Sequence, residues 1–483
     1  MELLDRLNDH ARSTDAGPRV AYRELTPGGR SLSYDELATQ VSAFANHLQS
    51  QVAFGATVIL CIANQIEYPV ALLGTLAAGC NVFPVSAEIA EPELRALAQE
   101  AVAGAIVGSA RACRALGDLV TVQIDATAIL KLSKNTIAQS VPAGDLLLCS
   151  SGTTARPKIV VRTAASVDAV SAGMCAAIGF GPADRVLSIV PLCHSYGLEH
   201  GLLAPVWAGS TVHLCPGLDL ATVERELTAG GITLFPSVPS AFDMMCQVGA
   251  PHPLPTLRKA YAAGAPLPRA VFDAFEQKFG VRIGQLYGAT EIGSVTFADP
   301  ADPHFDPAGV GRPYDDVRVR VVDPDTRAQR PPGEDGEVLI SAPSMFRGYL
   351  HDAAPAFDDD GFFSTGDLGH LDTHGNLVIT GRLKLLIEVG GLKVNVVEVE
   401  NLLAQHPDVA DAAVVAVRVS QTVSRLKAVV TPRHADRPPI PDDVRRFLRQ
   451  RLTPYKVPRV VEVRPSLPRS PSGKLLRRLL EES

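Results

Sequence analysis

Short apolar runs alternate with stretches of helical period along most of this chain. Thr57–Ile62, Gly104–Val107 and Asp145–Cys149 read as strands, and Leu37–Gln49 and Glu91–Glu100 as helices. The unit recurs through Arg185–Val190, Thr211–Leu214, Ile232–Phe235 and Val281–Tyr287. Strands that are apolar throughout are buried on both faces, so the alternation predicts an α/β protein built on largely parallel sheets. Ahead of it, Leu3, Leu4 and Leu7 among interleaved charges predict an amphipathic helix within Met1–Arg23. Tyr68–Val85 is long and apolar, but Pro69, Gly74, Gly79, Asn81 and Pro84 interrupt it, which predicts a core helix followed by a strand and not a membrane span.

From about Arg318 the pattern changes. Val317–Val322 and Gly336–Ile340 read as strands separated by the turn-rich DPDT and PPGEDG, which predicts a small β-subdomain. After Gly381-Arg382-Leu383-Lys384 a last block predicts a helix at Val396–Gln405, strands at Ala412–Val419 and Leu426–Thr431, and a helix at Asp442–Leu452. These elements suit a small α+β domain. The expected fold is a large N-terminal domain of parallel-type α/β sheets plus a β-subdomain, residues 1–383, followed by a small mobile α+β domain, residues 384–483.

The 483 residues, 46% of them hydrophobic, supply more than one core, in keeping with two domains. Lys and Arg (45) nearly balance Asp and Glu (52) for a net charge of −7, so no global basic field exists to hold nucleic acid or an anionic membrane. Small molecules or proteins are the expected partners. Eight cysteines, none in a CxxC pair and most among apolar neighbours, predict buried reduced thiols in a cytoplasmic protein and neither a disulfide framework nor a zinc site. The N-terminus lacks the apolar stretch of a signal peptide.

Candidate chemistry concentrates in a few segments. Ser150–Lys158, SSGTTARPK, leaves an apolar run and offers backbone N–H groups, several hydroxyls and one cation to a polyphosphate. It is not the GxxxxGK[ST] of P-loop NTPases, and alone it fits a plain loop equally well. Gln285-Leu286-Tyr287-Gly288-Ala289-Thr290-Glu291 puts a ring that can pack on a purine and a carboxylate that can hold a hard Mg²⁺ within one turn. By themselves Tyr287 and Glu291 fit a core aromatic and a solvated acid. Ser364-Thr365-Gly366-Asp367, with Arg382 fifteen residues on, offers an Asp at a strand end to ribose hydroxyls. Pro468–Lys474, PRSPSGK, presents one lysine on a proline-bounded loop, a point cation suited to pyrophosphate or to a reacting carboxylate.

Taken in order, and opening with Ser31-Leu32-Ser33-Tyr34-Asp35-Glu36-Leu37, these segments resemble the adenylate-forming superfamily of acyl- and aryl-CoA synthetases, peptide-synthetase adenylation domains and luciferases. The resemblance runs over almost the whole chain. It implies activation of a carboxylic acid by ATP and Mg²⁺ as acyl-AMP, then transfer to the thiol of CoA or of carrier-protein phosphopantetheine. It assigns Ser151, Thr153, Thr154 and Lys158 to a phosphate loop, and Gly264, Ala265, Pro266, Tyr287 and Gly288 to the adenine. Thr290 falls to the α-phosphate, Glu291 to Mg²⁺, Asp367 and Arg382 to the ribose. It makes Lys384 the hinge, Gly390 and Gly391 the entry of the pantetheine arm, and Lys474 the catalytic lysine of the first step.

Members of the superfamily that load α-amino acids carry an Asp after the strand corresponding to Val186–Val190. Here Pro191-Leu192-Cys193-His194-Ser195-Tyr196-Gly197 resembles the P-x-x-H-x-x-G of acyl- and aryl-CoA ligases, which implies a non-amino acid. His194, Ser195, Val238, Ala263 and Gly288 are the expected pocket walls, although His194 fits a packed core histidine as well. Three departures stand out. Ala155 and Ile159 replace two glycines of the phosphate loop, removing freedom wherever φ is positive. Leu385 stands where an Asp commonly follows the hinge, and the turn P-D-x-x-x-G-E is absent after Val414–Val417. A CoA ligase is therefore weighed against loading of a carrier protein, transfer to an amine, and a non-catalytic adenylate-binding protein.

Overall fold

The computed structural model describes every residue except 14–18, 27, 133–140, 151–157, 251, 352–356, 390–391, 419–423, 453, 470–474 and 482–483, and leaves out the side chains of 384, 386, 388–389, 392–393, 418, 424, 455 and 481. Two compact units emerge: residues 1–318 with 340–363, and residues 319–339 with 364–483.

Among its described residues the first unit carries two seven-stranded sheets. One runs in the order Ile283–Gln285, Lys259–Ala262, Leu234–Ser237, Arg185–Ser188, Thr211–Leu214, Val20–Glu24, Ser31–Ser33. All its pairings are parallel but the last. The other has a parallel part, Leu146–Cys149, Asn81–Pro84, Thr57–Cys61, Ala103–Gly108 and Val122–Asp125. Ile159–Arg162 and then Gly348–Tyr349 are added antiparallel at one edge.

Burial on both faces explains the unbroken apolar runs. Val58 and Leu60 face the largest core, which they share with Val186, Val212 and Leu234 of the other sheet. Their neighbours Ile59 and Cys61 face a second core with the helix Glu91–Glu100. On the far side of the first sheet, Leu187 and Phe235 meet Phe242 and Phe275 of the helices Pro239–Gln247 and Arg269–Phe279. The helices Tyr34–Gln51 and Glu67–Ala77 contribute Phe44, Tyr68 and Leu72 to the shared core. Ser33 and Glu36 close a reciprocal capping box on the first of these helices, a device that contributes about 1 kcal/mol.

In the second unit Arg318–Val322, Gly336–Ser341, Phe363–Leu371 and Leu377–Arg382 form a four-stranded sheet. A three-stranded sheet of Val409–Arg418, Ser424–Pro432 and Val460–Val463 packs Val414, Leu426 and Val430 against Val399, Leu403, Val444 and Leu448. The expected α/β architecture with a β-subdomain and a C-terminal α+β region is what the chain adopts. Sequence reading missed, among other strands, Val20–Glu24, Val122–Asp125, Ile159–Arg162, Lys259–Ala262, Phe363–Leu371, Leu377–Arg382 and Val460–Val463, and placed the strand Leu234–Ser237 two residues early.

Candidate active site

Four neighbouring parallel strands of the first sheet deliver the predicted residues. Beyond the C-terminal ends of Arg185–Ser188, Leu234–Ser237, Lys259–Ala262 and Ile283–Gln285 stand His194 and Ser195, Val238, Ala263 to Pro266, and Tyr287 to Glu291 respectively. The carboxyl ends of parallel strands are where open α/β sheets bind ligands. Backbone bonds tie these exits together: Ala263 N donates to Ser237 O at 3.3 Å and Leu286 N to Ala262 O at 3.0 Å. The Tyr196 hydroxyl reaches Ser237 O at 3.1 Å. Gly264, Ala265 and Pro266 are exposed, and Gly264 turns at φ +84°. His194 is reached by solvent, yet enough protein surrounds it that desolvation lowers its pKa. Cys193 beside it has its thiol pushed up to about 12 by burial, which leaves it protonated and unreactive.

Tyr287 is buried, and its N–H donates to the Thr296 hydroxyl at 3.2 Å. A two-stranded hairpin, Gly288–Ala289 against Gly293–Ser294, then holds Thr290 and Glu291 in its half-buried turn. A Cβ on Gly288 would lie 2.5 Å from Gly293 O, so the close approach requires glycine there. Tyr349, which sequence reasoning did not single out, joins this turn to Lys158. Its hydroxyl donates to Glu291 Oε1 at 3.1 Å, and Lys158 Nζ lies 4.3 Å from the centre of its ring. Ser150 N donates to Lys158 O at 2.9 Å. Ser151, Thr153, Thr154 and Ala155 lie outside the described residues. Ile159 is buried in the strand Ile159–Arg162, opposite Cys149. The only described non-glycine residues with positive φ are Val102 and Arg327, so at Ile159 the loss of a glycine removes no needed freedom.

Behind the hairpin lies a polar cluster that sequence reasoning also missed. Arg162, 1% exposed, gives Nη1 to Glu199 Oε1 at 3.1 Å. The other Glu199 oxygen accepts from Ser294 N at 3.0 Å and Ser294 Oγ at 2.7 Å. His200 lies between the Tyr261 hydroxyl (Nδ1, 3.0 Å) and Ser294 Oγ (Nε2, 3.3 Å), and burial lowers its pKa to about 3. Glu199 and His200 ride on a π-helical turn, Glu199–Leu203, inside apolar sequence, so no local period marks them.

In the second unit, Asp367 and Arg382 face each other across the antiparallel pair Phe363–Leu371 and Leu377–Arg382. Arg382 Nε lies 2.6 Å from Asp367 Oδ1, with the aspartate buried and the arginine half exposed. Asp367 thus stands inside its strand, beside a register shift at Leu368/Gly369, and not at the strand end. Lys384 belongs to the short turn Leu383–Leu385, its side chain outside the described residues, while Leu385 packs on the apolar core of the C-terminal region. Gly390, Gly391 and Lys474 lie outside the described residues.

Among the described residues no three His, Cys, Asp or Glu side chains gather as a metal site. A hard cation shared with phosphate oxygens needs only one or two protein carboxylates. Glu291 fits that need, because Tyr349 engages one of its oxygens and a carboxylate accepts at both. No helix is long and apolar enough to cross a membrane among the described residues.

The carboxylate and hydroxyl functions at these strand ends agree with comparison to known proteins: the chain belongs to the AMP-binding enzyme family, the adenylate-forming superfamily, matching its main domain over residues 9–350 and the AMP-binding enzyme C-terminal domain over 398–474. It is 30% identical to the 4-coumarate–CoA ligase-like 9 protein of Oryza sativa subsp. japonica, over 96% of this chain and 90% of that protein. It is equally 30% identical to the indoleacetate–CoA ligase of Aromatoleum aromaticum (strain DSM 19018 / LMG 30748 / EbN1), covering 98% and 96%. The ATP-bound crystal structure of MatB from Rhodopseudomonas palustris superposes with a TM-score of 0.92 at 26% identity, over 99% of this chain and 98% of that one.

Proposed function

We propose that the chain activates a carboxylic acid lacking an α-amino group, aryl or acyl, as its acyl-AMP and passes the acyl group to the thiol of CoA. In the first step a carboxylate oxygen attacks the α-phosphorus of ATP, the bond to the β-phosphate oxygen breaks, and pyrophosphate leaves with the electron pair. In the second the CoA thiol gives up its proton and attacks the acyl carbon, and the bond to the AMP oxygen breaks.

The observation that carries this reading is the convergence of Lys158, Tyr349 and Glu291 beside Thr290, a cation and a carboxylate beyond the ends of parallel strands. The CoA ligases among the relatives support the acceptor. In this reading Ser151, Thr153, Thr154 and Lys158 hold the β- and γ-phosphates, Thr290 the α-phosphate, and Gly264 to Pro266 with Tyr287 and Gly288 the adenine. Asp367 and Arg382 take the ribose. Glu291 holds Mg²⁺, which when bound screens the phosphate charge and stabilises the charge that develops on transfer. Lys474 orients the carboxylate against the α-phosphate, offsetting the repulsion between two anions. His194, Ser195, Val238, Ala263 and Gly288 wall the acid pocket. Residues 384–483 move about Lys384 between the two steps, with Gly390 and Gly391 admitting the pantetheine arm.

Pyrophosphate release with ATP, Mg²⁺ and a panel of aryl and fatty acids tests the reading. Release that answers to one acid, and AMP release that requires CoA, is the expected result. Acid-dependent adenylation that free CoA does not discharge points to a carrier-protein thiol, and no acid-dependent release across the panel overturns the proposal.

A further inference from the structure

We propose that Ser294 is a positioning residue: it closes a one-way line of buried hydrogen bonds onto Glu199 and so fixes the hairpin that carries Thr290 and Glu291 before substrates bind. The inference rests on reading Thr290 and Glu291 as ligands of the nucleotide and its metal. The direction of the line follows from what each group can give. Glu199, paired with Arg162, is a carboxylate and only accepts. Ser294 has one hydroxyl proton, and at 2.7 Å from Glu199 Oε2 that proton goes to the carboxylate, the stronger acceptor. The Ser294 oxygen is left to accept from His200 Nε2 at 3.3 Å, so Nε2 carries a hydrogen. Burial holds the imidazole pKa at about 3, which keeps the ring neutral. Nδ1 is therefore bare and accepts from the Tyr261 hydroxyl at 3.0 Å. Tyr261 thus gives to His200 and His200 to Ser294, while Ser294 and Arg162 both give to Glu199.

The line grips the hairpin at its base. Ser294 lies directly across from Gly288, which stands two residues ahead of Thr290, and its N–H donates to the same Glu199 oxygen at 3.0 Å. Gly293 rests on the ion pair itself: a Cβ there would lie 3.1 Å from Arg162 Nη2 and 3.3 Å from Glu199 Oε1. On the return side Ser344 Oγ donates to Ile292 O at 2.7 Å, and Phe346 N to Glu291 O at 2.8 Å. Each residue from Glu291 to Ser294 is thus held by a bond or a close contact, while Thr290 and Glu291 themselves stay half-buried. Groups already in place need no reorganisation as charge develops on the phosphates, so the benefit belongs to kcat.

Two measurements on the full chain test the inference. The first is the ring-nitrogen resonances of His200 in the wild type, assigned by their loss in His200→Gln. A protonated Nε2 and a bare Nδ1 at pH 7 are expected; a proton on Nδ1, or a charged ring, reverses the line and overturns the inference. The second is pyrophosphate release at saturating Mg·ATP and an acid that the wild type activates, with the thermal midpoint of every variant measured. Ser294→Ala removes the hydroxyl and leaves the His200 Nε2–H buried without that acceptor. Well below its thermal midpoint this variant should lose about tenfold in kcat, with a smaller change in the KM for Mg·ATP. Wild-type kcat beside a lowered midpoint marks a bond that only stabilises the fold, and overturns the inference. Thr290→Ala separates the inference from the reading beneath it. If that variant releases pyrophosphate as the wild type does, the reading of the hairpin fails and takes the inference with it. If Thr290→Ala is slow and Ser294→Ala is not, the reading stands and the inference alone falls.

Discussion

Glu199 accepts from Arg162 with one oxygen and from Ser294 with the other, and so ties the strand Ile159–Arg162 to the hairpin that bears Thr290 and Glu291. Removing one member of a buried ion pair leaves the other charge uncompensated, so Glu199→Ala should cost about 3–5 kcal/mol in urea unfolding of the first unit. A loss under about 1 kcal/mol would mean that the pair is not closed in solution. His200, bonded to Tyr261 and Ser294 and packed beside Tyr196 and Phe180, gives a second measurable consequence. Its folded pKa of about 3 lies below the ordinary 6.5, so between those values the unfolded chain binds a proton that the folded chain refuses. Stability from this residue is whole above about pH 6.5 and falls as acid is added, reaching a deficit of about 2 kcal/mol at pH 5. His200→Gln should remove that share of the slope, read as the difference between unfolding free energies at pH 7 and pH 5. The sequence exposed the chemistry beyond the strand ends, Lys158 and Tyr287 to Glu291, because turn residues with Gly and hydroxyls interrupt the apolar pattern. It hid Arg162, Glu199 and His200, which are legible only once the π-helical turn and the hairpin bring them together.

At the scale of elements, the parallel strands were legible because both faces are buried, as Val58 and Ile59 illustrate by facing different cores. Lys259–Ala262 was missed because KAYA has neither apolar continuity nor alternation, and its place in the sheet comes from pairing with both neighbours. The antiparallel strand Ile159–Arg162 was missed for another reason: read as part of a glycine-depleted loop, Ile159 looked like a loss of backbone freedom. In the folded chain it is a buried strand residue opposite Cys149 and bonded through its carbonyl to Leu350. Ile159→Gly, which restores the residue common in the family, should therefore destabilise the protein by about 3–5 kcal/mol, through the emptied side-chain volume and the freer backbone. It should not speed adenylation. A faster variant with an unchanged thermal midpoint would mean that the loop needs glycine there after all.

At the scale of the whole molecule, the proposed function asks one chain to serve two reactions that need different groups. In the proposed reading Lys474 serves only the first, where a carboxylate approaches a polyanion; once acyl-AMP exists, a cation there does nothing for attack by a thiol. Lys474→Ala should therefore abolish pyrophosphate release and leave thioester formation from supplied acyl-AMP largely intact, whereas equal loss of both steps would remove the assignment. The proposed turn about Lys384 has a structural cost that can be named. Asn395 gives Nδ2 to Thr380 O at 2.9 Å, and a Cβ on Gly381 would lie 2.4 Å from that same amide, so the segments on either side of Leu383–Leu385 are packed closely. Rotation at the turn must break the Asn395 bond and change backbone angles that proline fixes. Lys384→Pro should consequently preserve one half-reaction and slow the other by at least about tenfold, each assayed alone, since a chain held in one orientation completes only the step that orientation serves. Unchanged turnover of the complete reaction would show that both steps proceed without the rotation.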